Sequence, residues 1–401
     1  MSAMDIDVDV STVLATLKEE ADADLVHVFY SLEDLYERKL WFQLTQCLSD
    51  EFFANPLSQP IRLRLYENFV LKFYNKIDGL KLIEFLLFSL DGISPAESLE
   101  YLLSLEKLLE KDSKSAHEEG EQEIQKVQES ILLQSEIARV KLELGQLDES
   151  IAIIDKCSSK IDKLNSVDGK INASYYRTLA QLNKIQSDYN SFYRNSLLFL
   201  ACIDDISTLP NKESIVWEIS ISALLGDKIY NFGEIIMHDI FAELPSSKAW
   251  LSQLLTTLNA GDLTSFNKAV DQYSAQIKND SAVVYESLNF LRQKICITAL
   301  IELVFSKPTN GKVLNFQEIL NYITILNSFD EVEHLIMKCL SLGLIKGSIN
   351  QIKSQVEINW VQPRTMSKKQ IATMSDKLVS WNGQVNGLVT YMNDKGKELW
   401  V

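Results

Sequence analysis

The chain has 401 residues, 46% hydrophobic and 23% charged, with a formal net charge of −16. That length predicts two or three domains with sizeable cores, and that charge argues against nucleic acid or an acidic membrane as the main partner. The charge is uneven: from Arg364 onward six basic residues against three acidic ones leave +3, so the rest carries −19.

Met1 to Val10, with Asp5, Asp7 and Asp9 and no basic start, is expected to be a disordered tail rather than a signal peptide. No apolar run reaches the length of a membrane span. The five cysteines are scattered with no C-x-x-C pair, which suits a reducing compartment and excludes a zinc ribbon. The expectation is a soluble intracellular protein, in which the Asn172 and Asn279 glycosylation patterns are chance matches.

From Ser11 to about Glu110 the periodicity is helical, with Leu32, Leu35 and Tyr36, then Leu40 to Leu48, then Leu63 to Ile77 as apolar stretches. Pro56, Pro60 and Pro95 fall between segments as breakers. Lys111 to Gln125 is charged and poor in apolar residues, and predicts an exposed loop or a ragged helix end. Helices over Ile131–Leu144 and Leu147–Leu164 then flank a turn at Gly145-Gln146. Further turns are expected near Ser187-Asp188, Gly226-Asp227 and Gly261-Asp262, spaced 43, 38 and 35 residues apart. Turns at that interval between amphipathic helices predict stacked helical hairpins, a solenoid of tetratricopeptide type. The helix Leu288–Phe305 is apolar nearly all round, as expected of a helix covered on every side.

The stretch Leu314–Pro363 follows it. Asn315 with Glu318, and Ser328 with Glu331, are two capping boxes. Val332, Leu335, Ile336, Cys339 and Leu340 form one apolar stripe, and Gly343 ends that helix. Leu344–Ile349 and Gln355–Trp360 read as a hairpin in which Val356, Ile358 and Trp360 alternate with polar residues. Helix, strand, helix, helix, hairpin is the order of a winged helix, and the alternation places Trp360 in its core beneath Val332, Ile336 and Leu340. The helix that would read DNA opens with Asp330, Glu331 and Glu333, and Lys338 is its basic residue unless His334 is charged; the wing adds Lys353. Carboxylates there repel phosphate, so this winged helix is expected to make protein contacts.

Ser367–Met392 predicts one long helix, with Ser367 and Gln370 as a third capping box. Ile371, Met374, Leu378, Trp381, Val385, Leu388 and Met392 alternate three and four apart, a heptad seam that needs a partner. Gly383 and Gly387 are expected to fray it when alone. The layout is thus a tail over 1–10, an all-α solenoid over 11–285, a winged helix over 286–363 and a terminal helix over 364–401.

Motifs that carry chemistry are missing. His27, His117, His238 and His334 are each at least 90 residues apart, so no H-E-x-x-H is possible. Gly226 to Gly233 has two glycines but no G-K-[ST], and fits a turn between solenoid helices. Asp5, Asp7 and Asp9 lack the central glycine and terminal glutamate of a calcium loop. No G-x-S-x-G occurs. Cys339 lies on the core stripe and His334 on the surface. The chain is read as a non-enzyme with no cofactor and no metal.

A helical array running into a winged helix and a terminal helix resembles the PCI module of proteasome-lid, signalosome and initiation-factor subunits. Leu63-Arg-Leu-Tyr66, the block Ser220 to Gly233, Phe290 to Cys296, Leu340 to Ile349 and Trp360-Val-Gln-Pro-Arg364 are similar to the family of 26S proteasome non-ATPase lid subunits numbered nine in fungi and thirteen in mammals. The resemblance implies a structural subunit of the regulatory particle in ubiquitin-dependent degradation, located in cytoplasm and nucleus. In that family six winged helices meet edge to edge in a horseshoe and the terminal helices gather in one bundle, near a deubiquitinase pair and a ubiquitin receptor. Carried over, the contacts fall on Ile345, Ile349, Val356 and Ile358 of the wing and on the heptad helix. The alternative is a scaffold subunit of another assembly, the signalosome or an initiation-factor complex.

Overall fold

The computed structural model describes residues 10–21, 25–115, 121–164, 166–203, 209, 211–306, 313–365 and 368–396. The chain forms two compact units, one up to Ile206 and one from Ser207 onward. The tail over 1–9, the middle of the charged run and the Ser367 cap lie outside the described residues.

The first unit is helical. Helices α1 (Val10–Glu20), α2 (Val26–Glu37), α3 (Trp41–Cys47), α4 (Arg62–Asn68), α5 (Gly79–Leu90) and α6 (Pro95–Ser115) precede α7 (Glu121–Glu143), α8 (Leu147–Ile161), α9 (Gly169–Ile185) and α10 (Tyr189–Ala201). The charged run is two helix ends, since α6 continues to Ser115 and α7 begins at Glu121. Beyond α3 the chain widens into a π-helical turn over Leu48–Phe53, and the adjacent Phe52 and Phe53 are both buried. Phe52 meets Phe29 edge-on at 5.8 Å, and Phe53 stacks on Phe85 at 4.7 Å. The end of this turn is held by the buried Arg62, whose guanidinium donates to the Phe53 and Asn55 carbonyls at 2.8 and 2.9 Å. The guanidinium thus gives the Phe53 carbonyl at the end of the turn a charged donor and adds one to the Asn55 carbonyl, which also accepts from the Ser58 N–H and Oγ.

The expected hairpins α7/α8 and α9/α10 are present. Their turns place Gly145 at φ 80° and Ser187 at φ 60°, and the Asp188 carboxylate accepts from the Asn190 and Ser191 N–H groups to start α10. Helix α7 packs against α5, α6, α8 and α9 and is the rod around which the later part of this unit is arranged.

The second unit begins with α11 (Lys212–Leu225), α12 (Gly233–Met237), α13 (Ala249–Ala260), α14 (Leu263–Asp280), α15 (Ala282–Glu286) and α16 (Leu288–Ser306). The turn at Gly261-Asp262 joins α13 to α14 as expected, with the Asp262 carboxylate capping α14. Gly226-Asp227 behaves differently. It opens a loop that leads to the five-residue α12 and a 3-10 turn over Asp239–Glu243, not to a second long helix. At this point the end of α11 is held by the fully buried Lys294 on α16. Its Nζ donates to the carbonyls of Ala223, Leu224 and Gly226 at 2.7, 3.1 and 2.7 Å. These are the C-terminal carbonyls of α11, which have no partner within the helix. The rings of Tyr230, Phe232 and Phe290 stand 5.5, 5.0 and 5.6 Å from the same nitrogen. Burial pulls the ammonium down to about 7, opposed by Asp227, while the three carbonyls match the three N–H bonds of its charged form. Every residue of α16 from Lys294 through Ile301 is buried, because α13, α14, α15 and the winged helix all pack on it.

The winged helix adds β1 (Val313–Asn315), α17 (Phe316–Tyr322), α18 (Phe329–Ser341), β2 (Ile345–Asn350) and β3 (Gln355–Val361). Its antiparallel sheet has the order β1-β3-β2, with Leu314 opposite Val356 and Ile349 also opposite Val356. Ser328 caps α18 and Glu331 returns a bond to the Asn327 N–H, while Gly343 at φ 71° ends the helix. Asn315 stands at the cap of α17 but makes no cap bond; the Phe316 N–H is tied to the Ser354 carbonyl instead. The core contains Leu314, Phe316, Ile319, Ile323, Val332, Ile336 and Cys339 together with Leu344, Ile345, Val356 and Ile358.

Trp360 is not in that core. It is 39% exposed, with the Lys346 ammonium 4.9 Å from its ring centroid. The register explains the error: Lys346 faces Trp360 but the next residue, Gly347, faces Ile358. This bulge at Asn359 shifts the alternation by one residue, so a strand that is inward at Val356 and Ile358 turns Trp360 outward. Gly347 makes the bulge possible, since a Cβ there would lie 2.1 Å from the Glu357 carbonyl oxygen.

Candidate protein-interaction surfaces

Helix α19 (Lys368–Gly396) closes the chain, 29 residues and about 44 Å long. It forms because its seam residues are spaced for a helix and its interior lacks proline. It is helical through Gly383 and Gly387, the two positions of weakest helix propensity within it. Every residue from Ile371 through Lys395 is exposed. The seven seam residues Ile371, Met374, Leu378, Trp381, Val385, Leu388 and Met392 therefore lie open to solvent, with Trp381 at 63% and Met392 at 64%. Val379, Val389 and Tyr391, which the heptad does not include, are exposed as well and widen the apolar surface.

The winged helix presents a second surface. Ile345, Val356 and Ile358 were expected to contact a partner, but their side chains are buried in this domain's own core and are out of reach of one. Ile349 is half-buried. What the wing offers outward is the main chain of β2, an edge strand of the sheet, and the exposed side chains along it. Lys346, Ser348 and Asn350 line that strand, Trp360 lies beside Lys346, and Ile352 at the wing tip is 99% exposed. Alternation alone could not find Trp360, because its outward turn depends on the bulge. Ile352 was legible as a lone apolar residue in a polar loop.

The acidic face of α18 is partly engaged within the domain. Gln351 of the wing donates to the Glu333 carboxylate at 3.0 Å, and Lys338 donates to Gln293 at 3.1 Å. Among the described residues no three His, Cys, Asp or Glu side chains are grouped to hold a metal, and no helix is long and apolar enough to cross a membrane.

Three family models match the chain in succession: the PSD13 N-terminal repeats over residues 28–255, the PCI domain over 270–360 and the Rpn9 C-terminal helix over 364–396. The chain is 41% identical to the 26S proteasome regulatory subunit RPN9 of Saccharomyces cerevisiae, over 98% of this chain and 99% of that one. The chain belongs to the Rpn9/PSD13 family of 26S proteasome regulatory subunits. Within this family it is also 36% identical to the probable regulatory subunit rpn9 of Schizosaccharomyces pombe, over 99% of both chains. Identity is 33% to the non-ATPase regulatory subunit 13 homolog B of Arabidopsis thaliana, over 92% of this chain and 94% of that one. Similarity to translation initiation factor 3 subunit M of Coccidioides immitis is weaker, 21% over 56% of this chain. The fold is that of the family: helical repeats, a PCI winged helix and a terminal helix with its own family model.

Proposed function

We propose that this chain is a non-catalytic structural subunit of the proteasome lid, one that scaffolds assembly of the regulatory particle for ubiquitin-dependent degradation. It associates with other lid subunits through two surfaces. The seam of α19 enters a bundle of terminal helices. The β2 edge pairs with a neighbouring winged helix, through its main chain and Ile349, with Ile345, Val356 and Ile358 supporting the strand from within. The neighbours include the lid deubiquitinase pair and a ubiquitin receptor; nucleic acid and membrane are not partners, and the subunit works in cytoplasm and nucleus.

The observation that carries this reading is the exposure of the whole α19 seam. Burying one large seam residue is worth on the order of 1.5–3 kcal/mol, so seven supply ample association energy after ordering costs. Deleting residues 367–401 tests it. The shortened chain is expected to stay folded and to assemble poorly with lid subunits, measured by co-purification and native mass. Normal incorporation sinks the reading. So does unfolding of the shortened chain, which would assign the helix to this subunit's own core.

A further inference from the structure

The Gly226–Gly233 block, which the sequence suggested was a turn, meets the end of the Trp360–Arg364 block in the second unit. The loop ending at Gly233 and the segment Arg364-Thr365 are about 130 residues apart in sequence, yet they touch. The Thr365 N–H and Oγ1 both donate to Asn231 Oδ1 at 3.3 Å. The Thr365 side chain occupies the space a Cβ on Gly233 would need, with its own Cβ 2.7 Å from that position. Gly233 is buried and its φ is ordinary, so the absence of a side chain serves the contact rather than the backbone. One residue earlier, Arg364 forms an ion pair with Glu302 of α16, donates to the Asn259 carbonyl at 3.3 Å and lies 5.4 Å from the Phe305 ring. Beneath the same loop, Lys294 holds the end of α11. Three residues after Thr365, α19 begins.

We propose that the seat at Asn231 and Gly233, with Arg364 and Thr365 locked into it, is an assembly latch that fixes where the C-terminal helix leaves the PCI module. The inference rests on the reading of α19 as the assembly helix. The side chains of α19 from Ile371 through Lys395 are exposed, whereas Arg364 and Thr365 at its base are tied into the body of the unit, which makes this anchor the point that sets its direction. A helix delivered from a fixed point loses less orientational freedom on joining a bundle, and preorganisation of this kind appears as affinity. The polar residues of the latch are positioning residues; none of them needs to touch a partner.

Gly233→Ala in the full chain, assembled with its partner lid subunits, is the test. The new methyl displaces Thr365 without straining the backbone. We expect an unchanged melting profile, faster amide exchange over residues 363–372, and a drop of about tenfold in affinity for the partner subunits. Gly233→Ala combined with Thr365→Gly, which empties the contested space, should recover assembly beyond the Gly233→Ala level. If Gly233→Ala does not fold, Thr365→Ala decides, because it deletes the hydroxyl and adds no bulk; the same drop supports the latch and parental affinity overturns it. If Gly233→Ala matches the parent while deletion of 367–401 abolishes assembly, the latch is wrong and the bundle reading stands. If that deletion leaves assembly intact, the bundle reading falls first.

Discussion

Lys294 is the residue on which the second unit depends most. A lysine in an apolar helix looks like an interruption, but it satisfies three carbonyls at the end of α11 from a distance of some seventy residues. Lys294→Met keeps the length of the side chain and leaves those carbonyls buried without donors. We expect a loss of about 3–5 kcal/mol, read by denaturant unfolding. Trp360→Ala should be mild, about 1 kcal/mol or less, because the ring is on the surface and its main contact is a cation over its face. A larger loss by the same measurement would return the ring to the core. Glu129 in the first unit gives a pH dependence. Burial, and then the Asp78 carboxylate, push its carboxyl up to about 7, while the Gly79 N–H opposes this. A carboxyl raised in the folded state binds its proton more tightly there than in the unfolded chain. Its contribution is therefore complete below about pH 4.5 and is lost as pH rises to about 7. Glu129→Gln keeps an acceptor for Gly79 and removes the charge. It should flatten stability across that window and raise it above pH 7 by about 1 kcal/mol, discounted for partial solvation.

At the scale of elements, α16 and α19 show how the same helical periodicity serves opposite ends. Helix α16 is buried through two full turns and is the axis of its unit. Helix α19 is exposed from Ile371 to Lys395 and contributes nothing to the core of the isolated chain. Leu378→Asp with Trp381→Asp should therefore leave the melting temperature within error of the parent and reduce co-purification with lid subunits to the level of the 367–401 deletion. A fall in melting temperature would place the seam against this chain's own body. Periodicity showed that both helices exist; for α16 the absence of a polar face predicted its covering, and for α19 the heptad predicted a partner. The wing was legible as a hairpin, but which of its residues face outward was not, because one bulge at Asn359, accommodated by Gly347, reverses the alternation at Trp360.

At the scale of the whole molecule, the net charge is −16 and α18 opens with Asp330 and Glu331, an arrangement that repels phosphate. No binding of duplex DNA is expected at physiological salt in an equilibrium titration. Tight, salt-sensitive binding lost in Lys353→Glu would overturn that expectation. By itself the sequence determined the helical repeats, the winged helix and the heptad, because each is written in local spacing: period 3.6, period 2, a cap, a turn. The tertiary structure alone decided where Trp360 points, that Gly226 does not start an ordinary hairpin, and that Gly233 is a seat for Thr365. Those outcomes depend on register and on contacts between residues 68 to 134 positions apart, and no local pattern encodes which distant side chain arrives.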